Sequence, residues 1–361
     1  MYLNHAAAGV LPRRTRDVLV ELVDAQARKG LLGFLPVEAG LATYRERIAA
    51  FFGARGEEVA FLRNTADGAN TIARGLDWNA GDEIVLCDNE FASNALPWVA
   101  LAEYGVTVRF ITTAREQLTP EVLAAHITPR TRLVALSWVS FADGYRHELA
   151  PLAAVAHAHD ALFCVDAIQA LGAFPLDVVR DGVDAMYAGG AKWLLGLPGI
   201  SVLYVSPALH ERLKVRWRGW RDVADMWNDF DYGQPLAETA ARYEGGTPNF
   251  LGIAAMDASI ALLSSAGTER IAGHVLALTD RLVEGLHALG MEVTTPRGPG
   301  ISSGIVTFLT PGRDSVDIGR ALGKRDFITT YHRPLGIRVS PHGYNTTGEI
   351  DAFVAALDTL L

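Results

Sequence analysis

Three polar segments of this 361-residue chain follow apolar runs, where side chains able to do chemistry are expected. Asp166 ends the run ALFCVDA, and Lys192 lies in YAGGAKWLLGLPGISVLYV between two apolar stretches. A lysine held among glycines and aromatics loses hydration, which lowers its pKa and frees its amine to form a Schiff base. Taken alone, Lys192 would more often be a solvated surface group, and Asp166 could be a helix cap or an ion-pair partner.

The third segment is FLRNTADGAN, residues 61–70, in which a strand-like run meets Asn64, Thr65 and Ala66 at a predicted helix start. Free backbone amides at a helix N-terminus bind phosphate groups. Thr65 and Asp67 would serve equally well as ordinary capping residues, so this segment alone leaves both interpretations open.

The elements that must position these segments alternate between β-branched runs and amphipathic stretches from about residue 57 to 206, which predicts βαβ units on a mostly parallel sheet. In such a doubly wound sheet, ligands bind outside the carboxyl ends of the strands. The predicted strands are 83–88, 107–112, 132–140, 161–167, 184–189 and 200–206, with helices at 93–104, 119–127 and 148–159.

The alternation stops after residue 206, and a Trp-rich connection leads to long predicted helices within 249–289. The strands MEVTT, GIVTFLT and GIRVSPH, with helices at 314–324 and 346–360, then predict a smaller α+β domain. We therefore expect an N-terminal segment near the site (1–15), a large domain (16–250) and a small C-terminal domain (251–361).

Composition limits the classes of partner. The chain has 32 Lys and Arg against 41 Asp and Glu, a net charge of −9 that disfavours binding to a nucleic acid backbone. Its two cysteines, Cys87 and Cys164, lie far apart in apolar runs, which argues against a disulfide framework or a cysteine metal site. No apolar run approaches the roughly 20 residues that span a bilayer. We expect a cytoplasmic protein with no metal and no membrane partner.

The ordered motifs NTADGAN, EFASN, DAIQ, GGAKWLLGLPG, EGGT and RVSPHGYN resemble the class V aminotransferase family over almost the whole chain. The family comprises fold-type I enzymes that use pyridoxal 5′-phosphate (PLP), among them cysteine desulfurases, isopenicillin N epimerase-like proteins, C–S lyases and transaminases. The resemblance implies the PLP transferase fold, a large doubly wound α/β domain with a smaller α+β domain.

The resemblance assigns roles around the cofactor ring. Lys192 is implied to hold PLP as an internal aldimine and then to move the substrate's α-proton. Asp166 is implied to pair with the pyridinium nitrogen, and Gln169 to donate to the ring's 3-hydroxyl oxygen. Phe91 stands where relatives place a residue against the ring face, a role that needs only an aromatic surface.

The same resemblance implies phosphate and substrate contacts. The backbone amides of Thr65 and Ala66 would hold the phosphate, with Thr247 supplied by a neighbouring subunit, so we expect a homodimer with shared active sites. Arg338 aligns with the arginine that binds the substrate carboxylate, a task that suits a bidentate guanidinium.

Two further residues are candidate substrate contacts. His332 is placed in a loop at the mouth of the site, where a histidine could transfer a proton or bind a distal group of the substrate. Asn4 belongs to an N-terminal segment that, in the family, often runs past the site. A plain structural role is as compatible with either residue.

The sequence also departs from the family. Gly189 and Ala191 stand where many relatives carry a hydroxyl residue and a histidine that contact phosphate, and Phe141 replaces a polar residue near the ring hydroxyl. The segment FITTYHRPLGIR lacks the loop cysteine that receives a persulfide in desulfurases. We therefore expect no persulfide transfer.

The predicted function is a PLP-dependent reaction on an amino acid or amine, in first place transamination, with a β-eliminating C–S lyase or an epimerase as the alternative. A nucleotide-binding oxidoreductase would need GxGxxG after the first strand, and the chain has NTADGAN there. A relative that has lost catalysis should have lost Lys192, Asp166 or Arg338, and all three are present.

Overall fold

The computed structural model describes residues 1–113, 117–228, 230–333 and 335–361. The α-helices are α1 Arg13–Lys29, α2 Leu35–Ala39, α3 Leu41–Ala50, α4 Thr65–Gly75, α5 Ala92–Val99, α6 Pro120–His126, α7 Leu149–His157, α8 Pro207–Arg212, α9 Phe250–Ala266, α10 Thr268–Ala288, α11 Ser315–Gly323 and α12 Thr347–Asp358. The strands are β1 Val59–Leu62, β2 Glu83–Cys87, β3 Thr107–Ile111, β4 Thr131–Ser137, β5 Leu162–Asp166, β6 Ala185–Gly189, β7 Ser201–Val205, β8 Glu292–Val293, β9 Val306–Leu309, β10 Thr330–His332 and β11 Gly336–Val339.

The large domain is built on a seven-stranded sheet with the order β1-β7-β6-β5-β4-β2-β3. Strands β2 to β6 pair in parallel, whereas β7 runs antiparallel to both of its neighbours. The parallel strands therefore present their carboxyl ends at one edge of the sheet, where the chemistry-bearing segments were predicted to meet.

Apolar side chains cover both faces of this sheet, as continuous apolar runs in parallel strands require. Strands β2, β5, β6 and β7 are buried along their whole length. Alternate residues of β5 enter different clusters: Phe163 and Val165 pack on the side of α1, α3 and α9, whereas Leu162 and Cys164 pack on the side of α4 and α5. Asp166 continues the second set, so its side chain lies on the α4 and α5 face.

The small domain is a four-stranded antiparallel sheet with the order β10-β11-β9-β8, covered by α10, α11 and α12. Its apolar cluster also contains Leu3 of the N-terminal segment. That segment joins the domain through backbone hydrogen bonds from Leu3 to Ile328 (3.0 Å) and from His5 to Ser340 (3.1 Å).

The predicted α/β fold class is confirmed, and the six strands predicted in the large domain agree with the structure to within one to three residues at each end. One placement was wrong: His332 ends β10 instead of lying in a loop, because Thr330–His332 pairs antiparallel with β11. Such pairing depends on a strand elsewhere in the chain and leaves little signal in three residues. Pro334 of the same segment lies outside the described residues.

The domain boundary predicted at residues 250 and 251 stays a prediction. Helix α9 packs against α1 and α3 in the large domain, and the apolar residues of α10 from Leu278 onward belong to the small domain. Within the described ranges, no single helix has the length and apolarity to cross a bilayer; α9 and α10 satisfy that test only as a pair, with a 79° bend between them.

Candidate active site

The candidate site forms around a row of three polar side chains at the carboxyl edge of the sheet. Ser137, Asp166 and Tyr187 lie opposite one another on β4, β5 and β6, on the face covered by α4 and α5. Lys192 follows β6 by three residues, in the turn before β7. The fold thereby brings the predicted lysine and aspartate to the same edge.

Asp166 is almost completely buried, at 1% exposure, and its Oδ1 accepts a hydrogen bond from the Ile168 amide at 2.9 Å. Burial raises the pKa of Asp166 to about 7, and the neighbouring Glu90 carboxylate adds to that shift, whereas the Ile168 amide and the Lys192 ammonium oppose it. This carboxyl group can hold a proton near neutral pH.

Lys192 has the complementary shift. Burial lowers the pKa of Lys192 to about 8. The negative charge of Asp166 raises this pKa, and the positive charge of Arg338 lowers it further. Within the described parts of the chain its amine has no hydrogen-bond partner. About a tenth of this lysine is therefore a neutral, nucleophilic amine at pH 7, far more than for a lysine with the ordinary pKa.

Backbone carbonyls of the residues before and after Lys192 are held in place. The Gly9 amide donates to the Ala191 carbonyl at 2.6 Å, and His342 Nε2 donates to the Trp193 carbonyl at 3.0 Å. A Cβ on Gly9 would come within 2.3 Å of the Lys192 carbonyl oxygen, so only glycine fits there. Burial lowers the pKa of His342 to about 3, which keeps it a neutral structural donor.

Phe91 supplies an aromatic face beside the lysine. The Lys192 Nζ lies 5.7 Å from the centre of the Phe91 ring, which is 46% exposed and makes an edge contact with Phe141 at 5.1 Å. The exposed ring leaves a flat apolar surface on which a planar ligand can stack.

The N-terminus of α4 leaves two backbone amides free. The Asn64 side chain caps the helix by accepting from the Asp67 amide at 2.9 Å, and in the described structure the amides of Thr65 and Ala66 have no acceptor. Gly68 lets α4 approach the sheet, since a Cβ there would lie 2.6 Å from Tyr187 Cβ. These amides can bind an anion.

Gln169 is 3% exposed and already has partners at both ends of its amide. Its Nε2 donates to the Ala6 carbonyl at 2.9 Å, and its Oε1 accepts from Trp193 Nε1 at 3.0 Å. The amide nitrogen keeps one hydrogen for a ring oxygen. The predicted contact of Gln169 with the cofactor stays a prediction.

Arg338 on β11 brings a cation from the small domain towards Lys192. Its Nη1 donates to the Phe141 carbonyl at 2.9 Å, and its buried Nε has no partner within the described residues. Burial lowers the pKa of Arg338 to about 10. A buried guanidinium with an unused donor is suited to binding a carboxylate.

The remaining predicted contact residues are Asn4, His332 and Thr247. The Asn4 Oδ1 accepts from Thr330 Oγ1 at 2.7 Å, which ties the N-terminal segment to β10. His332 is exposed at the end of β10, and Thr247 is exposed beside a cleft that includes Leu62 and Gly199. The substrate role of Asn4 and His332 and the intersubunit role of Thr247 stay predictions.

Sequence reasoning missed the role of Glu90 next to Phe91. Its carboxylate accepts from the Ser137 amide and hydroxyl, each at 2.6 Å, and from Asn94 Nδ2 at 2.8 Å. Tyr187 donates its hydroxyl hydrogen to Asn94 Oδ1. A charged residue directly after a buried strand, within the motif EFASN, was the available signal.

Neither cysteine can act as a nucleophile in this fold. Cys87 is 2% exposed and Cys164 is fully buried, and burial raises the pKa of both thiols. A thiol in apolar surroundings stays protonated and has no access to substrate.

The donor set fits PLP. The neutral amine of Lys192 can bind an aldehyde carbon, the buried Asp166 can face a pyridine nitrogen, and the Phe91 ring can cover a planar ring. The free amides of Thr65 and Ala66 can bind the phosphate.

Comparison with known proteins agrees with this chemistry. The family described as "Aminotransferase class-V" matches residues 2–353. An uncharacterized aminotransferase, YcbU of Bacillus subtilis (strain 168), is 30% identical over 306 residues, which cover 85% of this chain and 80% of that protein.

Two solved proteins share the fold over nearly their whole length. The apo structure of a cysteine desulfurase from Thermococcus onnurineus NA1 has a TM-score of 0.91 at 27% identity and covers 100% of this chain and 94% of its own. The cystine C–S lyase C-DES in complex with cysteine persulfide has a TM-score of 0.90 at 26% identity. The match covers 99% of this chain and 97% of the C-DES chain. A lysine-to-alanine variant of C-DES carries glycine covalently linked to PLP.

Proposed function

The chain belongs to the aminotransferase class-V family and is a PLP-dependent enzyme, and from this premise we propose that it cleaves a C–S bond of a sulfur-containing α-amino acid by β-elimination. One observation carries the proposal: the Lys192 amine lies within electrostatic range of the Arg338 guanidinium, as the binding of an amino acid requires, in a chain whose two thiols are both buried. Such a site can release sulfur but cannot pass it to a protein cysteine.

When bound, PLP supplies an electron sink for negative charge at the substrate's α-carbon. Arg338 binds the substrate carboxylate through its unused donors and so orients the α-carbon. The Lys192 amine removes the α-proton, since about half or less of it is protonated above pH 8. Asp166 would share a proton with the ring nitrogen, and Phe91 would shield one face of the ring from water.

The elimination balances without any external oxidant or reductant. The Cα–H and Cβ–S bonds break, the sulfur leaves with a proton, and the unsaturated amino acid that remains takes up water to give pyruvate and ammonia. With cystine the leaving sulfur is a cysteine persulfide, the molecule named as the product in the C-DES complex. The relatives named as desulfurases and lyases support a sulfur substrate.

Transamination, which sequence reasoning placed first, is the alternative outcome of the test. The holoenzyme is incubated with L-cystine, L-cysteine and L-alanine, with and without a keto acid, and pyruvate, ammonia and released sulfur are measured. We expect pyruvate and sulfur in equal amounts from a sulfur amino acid without a keto acid, and none with Lys192→Ala.

A new amino acid formed only when a keto acid is present would identify a transaminase and overturn the lyase proposal. Inversion at the α-carbon without pyruvate, measured by chiral chromatography, would identify an epimerase.

A homodimer with shared sites also belongs to this proposal. The exposed position of Thr247 beside a surface cleft supports its reaching the site of a second subunit. Sedimentation equilibrium of the holoenzyme tests the dimer, and a monomer with full activity would contradict it.

A further inference from the structure

Glu90, in the segment after β2, occupies the centre of a hydrogen-bond network that joins β4 and β6 to α5. Part of the residue reaches the surface, but its carboxylate is turned inward, with the Ser137 amide on Oε1 and the Ser137 hydroxyl and Asn94 Nδ2 on Oε2. The Tyr187 hydroxyl, on β6, holds the Asn94 side chain in that orientation by donating a hydrogen bond to Asn94 Oδ1.

The directions of these hydrogen bonds bear on the charge of Glu90. Amide N–H and NH₂ groups can only donate, so both carboxylate oxygens serve as acceptors. An ionised carboxylate accepts all three hydrogen bonds without conflict, and hydrogen bonds to the charged form favour ionisation. Burial is the larger effect and raises the pKa of Glu90 above its ordinary value, and the three donors offset part of that rise.

The network surrounds Asp166 on its own face of the sheet. Ser137 and Tyr187 are the direct neighbours of Asp166 in the strand register, one on each side, and both connect to Glu90. A second carboxylate is thereby fixed beside the one that faces the cofactor, with no hydrogen bond between the two.

We propose that Glu90 is a positioning residue for the PLP reaction: its fixed negative charge favours the presence of a proton on the pair formed by Asp166 and the pyridine nitrogen. A negative charge nearby disfavours the ionised form of a second carboxyl group, so Asp166 binds a proton more readily. The same negative charge attracts a positively charged pyridinium and so stabilises a proton on the ring nitrogen, and a protonated ring is the better electron sink. This consequence for the ring rests on the proposed function; the effect on Asp166 does not.

Several other titratable groups face Glu90 and Asp166. They are Cys87 at the end of β2, Cys164 on β5, Tyr187 on β6, Lys192 after β6, and His147, whose Nδ1 lies 2.9 Å from the Ser137 carbonyl oxygen. Burial raises the pKa of the two thiols and of Tyr187 and lowers the pKa of His147 to about 4, so these four stay neutral near pH 7. Of the five, only Lys192 titrates in the same range.

The first experiment uses the cofactor-free full chain, with 13C-labelled Asp and Glu carboxyl groups followed by NMR against pH. Asp166→Asn assigns the Asp166 signal. In the wild-type protein we expect Glu90 to remain ionised while Asp166 titrates, and in Glu90→Gln we expect the Asp166 midpoint to fall by about one pH unit. Glu90→Asp, which keeps the charge, should restore most of the shift.

A matched control is Asp88→Asn, which removes a carboxylate two residues away on the outer side of the same segment. The Asp88 Oδ1 accepts hydrogen bonds from the amide and hydroxyl of Thr113, and among the described residues Asp88 has no hydrogen bond to the Glu90 network. Asparagine keeps an oxygen that can accept from Thr113. Its effect on the Asp166 midpoint should be much smaller than that of Glu90→Gln.

The second experiment reconstitutes the same proteins with 15N-labelled PLP and follows the ring nitrogen signal. We expect its deprotonation at lower pH in Glu90→Gln than in wild type or Asp88→Asn, and PLP to dissociate more readily from Glu90→Gln.

The outcomes separate the two proposals. If the Asp166 midpoint is the same in wild type and Glu90→Gln, the role of Glu90 is refuted, whatever the enzyme does. If Glu90→Gln fails to fold, the wild-type titration decides. The inference is overturned if, as the pH is lowered, Glu90 becomes protonated at a higher pH than Asp166. A lowered Asp166 midpoint without C–S cleavage by the wild-type enzyme would refute the proposed reaction and leave the role of Glu90 standing.

Discussion

The low pKa of Lys192 is the property on which the chemistry depends, and it can be tested without substrate. Burial of the amine and the nearby Arg338 guanidinium outweigh the attraction of Asp166 and lower the pKa from 10.5 to about 8. Removing the charge of Asp166 with Asp166→Asn should lower it further, whereas removing the cation with Arg338→Gln should raise it.

The size of the effect follows from these values. At pH 7.5 an amine with a pKa of about 8 is neutral in roughly a quarter of the molecules, against about one in a thousand for a pKa of 10.5. Lys192 should therefore react with an amine-directed reagent about two hundredfold faster than an equally accessible lysine with the ordinary pKa.

The chain has four lysines, which makes the assay selective. Cofactor-free protein is labelled with a small acylating reagent from pH 6 to 11, and each lysine is quantified by mass spectrometry of its peptide. The exposed Lys29 and Lys324 are internal references in the same sample. We expect a midpoint near 8 for Lys192, moving in opposite directions in Asp166→Asn and Arg338→Gln.

A Lys192 midpoint near 10 in the wild-type protein would refute the argument from burial. A shift in the same direction in both variants would refute the assignment of the two charges.

Three further predictions concern other parts of the site. Cys87→Ala and Cys164→Ala should each release sulfur from cystine within about twofold of wild type, since a buried, protonated thiol takes no part; loss of sulfur release in either would contradict this. Gly68→Ala should lower the free energy of unfolding in urea by about 1–3 kcal/mol, because its Cβ would lie 2.6 Å from Tyr187 Cβ; an unchanged midpoint would show that the helix moves freely. Arg338→Lys should raise KM for an amino acid about tenfold or more with a smaller change in kcat, because lysine lacks the guanidinium's fork of donors; an equal effect on an amine without a carboxylate would contradict this role.

The sequence by itself was sufficient for the fold class, the order of strands along the chain and the prediction that Asp166 and Lys192 lie at one edge of the sheet. Asp166 and Lys192 follow apolar runs, and side chains placed after parallel strands converge at one sheet edge whatever the rest of the fold does. The start of a helix near residue 65 was equally readable, although the cap of α4 is Asn64 and not Thr65 or Asp67, the capping residues considered from the sequence.

Only the tertiary structure decided which residues support that pair. Glu90, Ser137 and Tyr187 come from separate segments and meet because the strand register places Ser137 and Tyr187 on either side of Asp166. The contact of Gly9 with the lysine's peptide and the strand that ends at His332 likewise join segments far apart in sequence. Hydrogen bonds and electric fields act over a few ångströms of space, so their partners depend on packing that no local pattern encodes.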